Sequence, residues 1–223
     1  YINTMSEKVN IAILGATGNV GRMFLRILEE RNFPINNLKL LSSEKSAGSK
    51  VKFQGKEYTV ELATKDSFKD IDIVLASAGG TISKELAPHA VKAGAVVIDN
   101  SSAYRMDKDV PLVVAGVNND AMKNHKGIIA NPNCTTAQLV PALKVLNDIG
   151  TLKRVIVSTY QSVSGAGKSA IDELTEQSKN HLAGKDVACN VSTPNRRFAF
   201  NVVPHIDVFS DDGYTKEEIK VIN

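Results

Sequence analysis

The chain of 223 residues is 43% hydrophobic and 23% charged, with few aromatic residues and no tryptophan, a composition typical of globular proteins. Its formal net charge of +3 is small, and it lacks any lysine and arginine block or other nucleic-acid-binding signature, so we expect no nucleic-acid partner. The apolar runs are too short to cross a bilayer, and the two cysteines fit neither a disulfide framework nor a metal site. These features predict a cytoplasmic protein without a membrane span or a bound metal.

Short apolar segments alternate with helical segments over the first 130 residues. Strands are predicted at 9–14, 38–41, 72–76, 95–99, 112–115 and 127–130, and helices at 20–31 and 83–93. Strands that are apolar throughout, and that alternate with helices, are typical of a parallel sheet covered on both faces.

The pattern changes after residue 130. We expect a helix from about residue 134 to 146, a strand at 154–161, a polar helix at 169–182 and a short capped helix beginning at Thr215. The sequence therefore predicts two domains, at 7–132 and 133–223.

A glycine-rich turn, Gly15-Ala16-Thr17-Gly18-Asn19-Val20-Gly21, joins the first predicted strand to the first helix. Glycines at this position allow the backbone to approach a pyrophosphate, which the helix N-terminus then binds through N–H groups and the helix dipole. The spacing is GxxGxxG rather than GxGxxG, but the strand–turn–helix context favours dinucleotide binding. The N-terminal domain is thus predicted to be of the Rossmann type.

The residues after the second predicted strand bear on which dinucleotide binds. In Ser42-Ser43-Glu44-Lys45-Ser46, the acidic residue suits the ribose of NAD and the lysine suits the 2′-phosphate of NADP. The hydroxyl groups beside Lys45 favour NADP.

The segment Asn131-Pro132-Asn133-Cys134-Thr135-Thr136 puts a cysteine at the turn between a strand and a helix, with Asn133 or Cys134 near the N-cap. The unsatisfied N–H groups and the dipole of that helix favour the nucleophilic thiolate. A small buried thiol is the alternative interpretation. A thiolate together with a nicotinamide would suit aldehyde oxidation or acyl-phosphate reduction through a thioester.

These motifs together resemble the aspartate-semialdehyde dehydrogenase family over nearly the whole chain, from Val9 to Asn223. The resemblance is carried by GATGNVG at 15–21, the serine and lysine segment at 42–48, DNSSAYRMD at 99–107, NPNCTT at 131–136, STYQSVSGAG at 158–167, FNVVPHID at 200–207 and GYTKEEIK at 213–220.

The resemblance implies NADPH-dependent reductive dephosphorylation of β-aspartyl phosphate to aspartate semialdehyde, in lysine, threonine and methionine synthesis. It implies that Cys134 is the nucleophile and that Gln161 orients the substrate. Substrate and phosphate would be bound by Arg105, Asn133, Glu217 and Lys220. Cofactor contacts are expected at Gly15, Thr17, Gly18, Asn19, Val20, Gly21, Ser43, Lys45, Ser46, Ser77, Gly79, Ser164 and Gly165.

The resemblance also implies a second domain of the α+β catalytic and dimerisation type found in glyceraldehyde-3-phosphate dehydrogenase, and a homodimer or homotetramer. Lys45 stands where the family commonly has arginine, whose planar fork would suit the 2′-phosphate better. The family's histidine base and its arginine for the substrate α-carboxylate are expected beyond Asn223, so the second domain of this chain would be incomplete.

Alternatives remain at this stage. N-acetyl-glutamyl-phosphate reductase would carry out the same chemistry on a longer substrate, and a nucleotide-binding chain without turnover is a further possibility. A short-chain reductase is disfavoured because Tyr104 and Lys108, which spell its YxxxK motif, lie in a predicted loop.

Overall fold

The computed structural model describes residues 7–187, 189 and 196–223. The chain divides into two compact units, Tyr1–Thr151 and Leu152–Asn223. The Rossmann-type α/β fold predicted for the first unit is confirmed by its sheet and helices. The domain boundary before residue 133 stays a prediction.

A seven-stranded sheet forms the centre of the first unit, in the order β3-β4-β2-β1-β5-β6-β7. All neighbouring strands are parallel except β3 and β4, which form an antiparallel hairpin at one edge. The strands are β1 (Val9–Leu14), β2 (Ile35–Ser42), β3 (Lys50–Phe53), β4 (Lys56–Leu62), β5 (Ile73–Ala76), β6 (Val96–Asp99) and β7 (Ile128–Ala130).

Two helices cover the sheet, and each of them packs into a different apolar cluster. Helix α1 (Asn19–Glu30) buries Leu25 and Leu28 with Ile11 and Ile13 of β1. Helix α2 (Gly80–Lys92) buries its apolar side in the other cluster, which contains Ala12 and Leu14 of the same strand. Successive side chains of a strand point to opposite faces, so β1 is apolar throughout because both of its faces are covered.

The predicted elements of this unit are largely confirmed, with one wrong strand and two elements that were not predicted, a hairpin and a 3₁₀ helix at Asn119–Asn124. Residues 112–115 do not form a strand, because only Leu112 makes an isolated bridge, to Ala130. The β3–β4 hairpin was not predicted. Its turn at Gln54-Gly55 has both φ angles positive, at 48° and 73°, as in the tight turns that favour glycine.

Helix α3 (Cys134–Ile149) follows β7 and ends three residues beyond its predicted end, with Pro141 inside it. It has no buried residue, and Val145, Leu146 and Ile149 are exposed by half or more. Its apolar side chains are therefore not packed into the core of this unit.

The second unit contains α4 (Lys168–Leu182) and α5 (Lys216–Ile222), both predicted. The predicted strand at 154–161 is wrong: the segment has no regular hydrogen bonding, and Ile156 and Tyr160 are 79% and 90% exposed. A β-branched sequence forms a strand only where another strand pairs with it. Within the described residues no strand pairs with this segment. None of the helices in the described part of the chain is long and apolar enough to cross a membrane.

Candidate active site

The glycine-rich turn after β1 packs closely against the backbone of two neighbouring segments. Gly15 has φ = +90°, and a Cβ atom there would lie 2.6 Å from the carbonyl oxygen of Ser77. A Cβ atom on Gly21, in the first turn of α1, would lie 2.3 Å from the carbonyl oxygen of Gly15. Both positions therefore require glycine, and α1 is held directly over the end of β1.

A cavity of about 340 Å³ opens beside this turn, at the carboxyl ends of β1, β2 and β5. In the sheet, β1 has β2 on one side and β5 on the other, so the strand order changes direction between β1 and β5. Crevices at such a switch point are the usual nucleotide sites of open α/β sheets. The cavity is lined by Leu14, Gly15, Thr17, Gly18, Ser42, Ser43, Ala63, Ser77, Ala78, Ile82, Glu85 and Leu86.

The structure brings part of the predicted cofactor set to this cavity. Five predicted residues line it: Gly15, Thr17, Gly18, Ser43 and Ser77. Of the other predicted residues in this unit, Asn19, Val20 and Gly21 form the first turn of α1, Lys45 and Ser46 lie in the turn after β2, and Gly79 is the N-cap of α2.

The remaining lining residues were not among the predicted contacts, although Ser42 belongs to the segment 42–46 on which the choice of dinucleotide was predicted. Ser42, at the end of β2, is hydrogen-bonded through its hydroxyl to that of Thr17 at 2.9 Å. Its place directly after an apolar strand was a usable signal. Ile82 and Glu85 lie on α2 one helical turn apart, and no local motif marks them.

Cys134 is the first residue of α3, and Asn133, one of the two residues that the sequence placed near the N-cap, is its N-cap. The Asn133 side chain is nearly buried and accepts a hydrogen bond from the Thr136 backbone N–H at 2.8 Å. The Cys134 side chain is exposed, so a small buried thiol is not what the structure shows. An accessible sulfur at a helix N-terminus is a suitable place for a nucleophile.

Arg105 connects the loop after β6 to the segment that leads into Cys134. Its Nε donates to the carbonyl oxygen of Asn131 at 2.8 Å, and one terminal nitrogen donates to the carbonyl oxygens of Asn100 (2.8 Å) and Pro132 (3.3 Å). The positive charge of Arg105 is therefore fixed beside the backbone two residues before Cys134.

The second unit brings three predicted residues together. Gln161 Nε2 donates to Glu217 Oε1 at 3.2 Å, and Lys220 Nζ donates to Glu217 Oε2 at 3.4 Å. Ser164 and Gly165 lie in a 3₁₀ turn of the same unit, Val163–Ala166.

Asp207 is a further member of this cluster that sequence reasoning missed. Its Oδ2 accepts a hydrogen bond from Lys220 at 2.7 Å, and this bond holds the pKa of Asp207 below its usual range despite partial burial. Burial alone would lower the pKa of Lys220, but the hydrogen bond and charge of Asp207, with the charge of Glu217, raise it. The motif at 200–207 contained this carboxylate, but its partner lies 13 residues away, beyond the reach of local spacing.

No group of three or more His, Cys, Asp or Glu side chains within the described residues could hold a metal ion.

A doubly covered parallel sheet, a glycine-lined cavity at its switch point and an exposed helix-capped cysteine define a dinucleotide-binding domain of the dehydrogenase type. Residues 10–125 match the family model of the semialdehyde dehydrogenase NAD-binding domain, and residues 143–223 match that of the semialdehyde dehydrogenase dimerisation domain. The chain belongs to the aspartate-semialdehyde dehydrogenase family.

Individual relatives agree with these matches. The chain is 58% identical to the aspartate-semialdehyde dehydrogenase of Aquifex aeolicus, over 95% of this chain and 63% of that protein. It is similar to the crystal structure of aspartate semialdehyde dehydrogenase II from Vibrio cholerae complexed with ASA, with a TM-score of 0.93, 46% identity, and coverage of 97% of this chain and 65% of that one.

A more distant structure, aspartate semialdehyde dehydrogenase with NADP from Candida albicans, is 27% identical with a TM-score of 0.51, over 66% of this chain and 48% of that one. The chain thus spans slightly less than two thirds of the length of its strongly similar relatives. These comparisons do not favour the two alternatives, N-acetyl-glutamyl-phosphate reductase and a nucleotide-binding chain without turnover.

Proposed function

We propose that this chain is part of an NADPH-dependent aspartate-semialdehyde dehydrogenase, which converts β-aspartyl phosphate to aspartate semialdehyde in lysine, threonine and methionine synthesis in the cytoplasm. The observation that carries the proposal is the exposed Cys134 at the start of α3, with Arg105 fixed beside the preceding backbone. The names of the relatives and the ASA in the Vibrio cholerae complex support the choice of substrate.

Cys134 would act as the nucleophile. Its sulfur attacks the acyl carbon of β-aspartyl phosphate, a carbon–sulfur bond forms, the carbon–oxygen bond to phosphate breaks, and phosphate leaves. The N-terminal N–H groups of α3 stabilise negative charge on the sulfur, and the guanidinium of Arg105 attracts the phosphate. When bound, the nicotinamide supplies the hydride that reduces the thioester to the aldehyde.

The remaining site residues would bind and orient the substrate. Glu217 suits the substrate amino group, Lys220 suits the phosphate, and Gln161, hydrogen-bonded to Glu217, orients the acyl group. Asn133 fixes the first turn of α3 and hence the position of Cys134.

The cavity beside Gly15 is a suitable place for the dinucleotide, because it opens at the glycine-rich turn where the backbone can approach a pyrophosphate, with Gly15 and Gly18 in its lining. Contacts from Thr17, Gly18, Ser43 and Ser77 fit this placement. Ser164 and Gly165 stay proposed cofactor contacts on the resemblance alone. We propose NADP rather than NAD because Lys45 and Ser46 follow β2, where the 2′-phosphate would lie.

The test is a spectrophotometric assay of NADP reduction by aspartate semialdehyde in the presence of phosphate, with Cys134→Ser as the matched control. We expect Cys134→Ser to abolish any phosphate-dependent NADPH formation, and NAD to bind more weakly than NADP. Sustained turnover by this chain would contradict the expectation that the histidine base lies beyond Asn223. A chain that binds NADP tightly but gives no Cys134-dependent reaction, covalent or redox, would favour the alternative of nucleotide binding without chemistry.

For the assembly, we propose a homodimer or a dimer of dimers. The match of residues 143–223 to a dimerisation domain supports it, as do the exposed apolar side chains of the second unit, such as Ile156 and Tyr160.

A further inference from the structure

Asp99, the last residue of β6, is a fully buried acidic residue outside the predicted site. Its carboxylate accepts hydrogen bonds from the Ser83 hydroxyl (2.7 Å), the Ser101 hydroxyl (2.7 Å) and the Ser101 backbone N–H (3.1 Å). A buried carboxylate is stable only where hydrogen-bond donors surround it, so Ser83 and Ser101 are held in place by their bonds to Asp99.

One partner of Asp99 lies on α2, the helix whose residues Ile82, Glu85 and Leu86 line the cavity beside Gly15. Ser83 is buried on α2, next to the cavity-lining Ile82. Asp99 therefore fixes the first turn of α2 relative to the end of β6.

The other partner begins the loop that carries Arg105. The Ser101 hydroxyl, while donating to Asp99, also accepts a hydrogen bond from the Ala103 N–H at 3.1 Å. This loop lies against the start of α2, because a Cβ atom on Gly80 would be 3.8 Å from the Ser102 hydroxyl. The loop is thus held at both ends, by Asp99 and by the three carbonyl contacts of Arg105.

The phenol of Tyr104 lies in the same environment. Burial raises its pKa, and the charges of Asp99 and Asp107 raise it further. Its hydroxyl donates a long hydrogen bond of 3.4 Å to the carbonyl oxygen of Ser83, again joining the loop to α2.

We propose that Asp99, acting through Ser101 and Ser83, is a positioning residue. It fixes the guanidinium of Arg105 beside the turn that precedes Cys134, and it fixes the position of that charge relative to the cavity beside Gly15. The inference rests on the proposed function, in which Arg105 attracts an anionic group to Cys134. Asp99 has no exposed surface, so it acts only through these residues.

The test compares alkylation of Cys134 by iodoacetate, which is anionic, and by iodoacetamide, which is neutral, with peptide mass spectrometry as the readout. The quantity is the iodoacetate-to-iodoacetamide rate ratio at Cys134 divided by the same ratio at Cys189, which corrects for the reagents. A correctly placed guanidinium accelerates only the anion, so this ratio reports the position of the charge rather than general loosening of the fold.

Arg105→Gln is expected to lower the ratio at least about threefold, the effect of removing one unit charge within roughly 10 Å. Ser101→Ala keeps every charge but removes the hydrogen bond from the Ser101 hydroxyl to Asp99, and it is expected to lower the ratio similarly. Ser83→Ala is expected to lower the ratio to a smaller extent. Ser102→Ala, at an exposed neighbouring serine, is the matched control and is expected to leave the ratio unchanged. The Arg105→Gln/Ser101→Ala double variant should show no further fall.

Asp99→Asn separates positioning from simple electrostatics. Loss of a negative charge would by itself raise the ratio, whereas loss of positioning lowers it, and we expect a fall. A ratio that is unchanged or raised in Asp99→Asn and Ser101→Ala, while Arg105→Gln lowers it, overturns this inference alone. A ratio that Arg105→Gln leaves unchanged contradicts the proposed role of Arg105 and the inference with it.

Discussion

At the scale of single residues, the glycines of the turn after β1 differ in the space around them. A Cβ atom would be 2.3 Å from the Gly15 carbonyl oxygen at Gly21, but 3.3 Å from the same atom at Gly18, where φ is an ordinary −72°. The motif predicted a site for a pyrophosphate. The structure adds that Gly21 is required by packing, whereas Gly18 lines the cavity.

Gly21→Ala is therefore expected to destabilise the protein by about 1–3 kcal/mol, the usual range for an overpacked site. Gly18→Ala is the matched control, with a change below about 1 kcal/mol. Chemical denaturation without nucleotide measures both. Equal stability of the two variants would contradict the close packing of α1 on β1.

Cys134 is expected to react with iodoacetamide several times faster than Cys189, because α3 stabilises negative charge on the sulfur. Quantifying labelled peptides over time at neutral pH checks this expectation. Cys134→Ser should leave labelling at Cys189 unchanged. Similar rates at the two cysteines would remove the support for an activated nucleophile.

The sequence predicted Cys134, Asn133 and the glycine turn correctly as local features, since each depends on residues within one turn of its neighbours. The roles of Asp99 and Asp207 were missed because each depends on a partner distant along the chain, Ser83 at 16 residues and Lys220 at 13. The contact between Ser42 and Thr17 likewise spans 25 residues. Such partners are known only once the strands and helices are assembled.

At the scale of elements, the short helix α5 is held by a capping box. The Thr215 hydroxyl accepts from the Glu218 N–H, and the Glu218 side chain accepts from the Thr215 N–H. The same helix carries Glu217 and Lys220, whose partner Asp207 has the left-handed φ of +66°. The cap and the ion pair together fix the proposed substrate-binding face of α5.

Asp207→Asn tests the ion pair without changing the backbone, because asparagine also tolerates positive φ. The pKa of Asp207 is lowered in the folded protein, so its stabilisation is complete above the ordinary carboxylate pKa and is lost as the pH falls through the lowered value. The variant should be less stable at pH 6, by less than about 1 kcal/mol because the pair is partly exposed. In urea titrations, the difference should shrink below about pH 4.

A difference that stays constant from neutral to acidic pH would mean that charge is not what Asp207 contributes. The pKa of Lys220 is raised, so at the alkaline end the same stabilisation should be present below the ordinary lysine pKa and lost as the pH rises through the raised value.

The elements show where sequence patterns suffice. The strands β1, β5, β6 and β7 were predicted because buried parallel strands are apolar throughout. The hairpin β3–β4 was not predicted, although its alternation of polar and apolar residues is the pattern of a half-buried strand and was a usable signal. Residues 154–161 were wrongly predicted as a strand because their β-branched composition does not reveal whether a partner strand exists.

At the scale of the whole molecule, each unit exposes large apolar side chains. In the first unit these are Leu146 and Ile149 of α3, and in the second unit Ile156, Tyr160 and Val202. Large apolar side chains exposed in such number are often covered by another protein surface, and residues 143–223 match a dimerisation domain.

We therefore expect the chain to sediment as a dimer or larger species rather than as a 24.0 kDa monomer. Ile149→Lys and Ile156→Lys should each shift the distribution toward monomer, while Met106→Lys, at an exposed apolar residue of a loop in the first unit, should not. A monomer at all concentrations in analytical ultracentrifugation would contradict the proposed assembly.

The proposed reaction depends on the transfer of an acyl group from a phosphorylated substrate to Cys134. Intact-mass spectrometry of the chain after incubation with β-aspartyl phosphate measures this step by itself, because acyl transfer requires neither hydride nor turnover. We expect one aspartyl adduct per chain, on Cys134 by peptide mapping, formed more slowly in Arg105→Gln and absent in Cys134→Ser. If the folded wild-type chain forms no adduct, or Cys134→Ser forms as much, Cys134 is not the acyl acceptor.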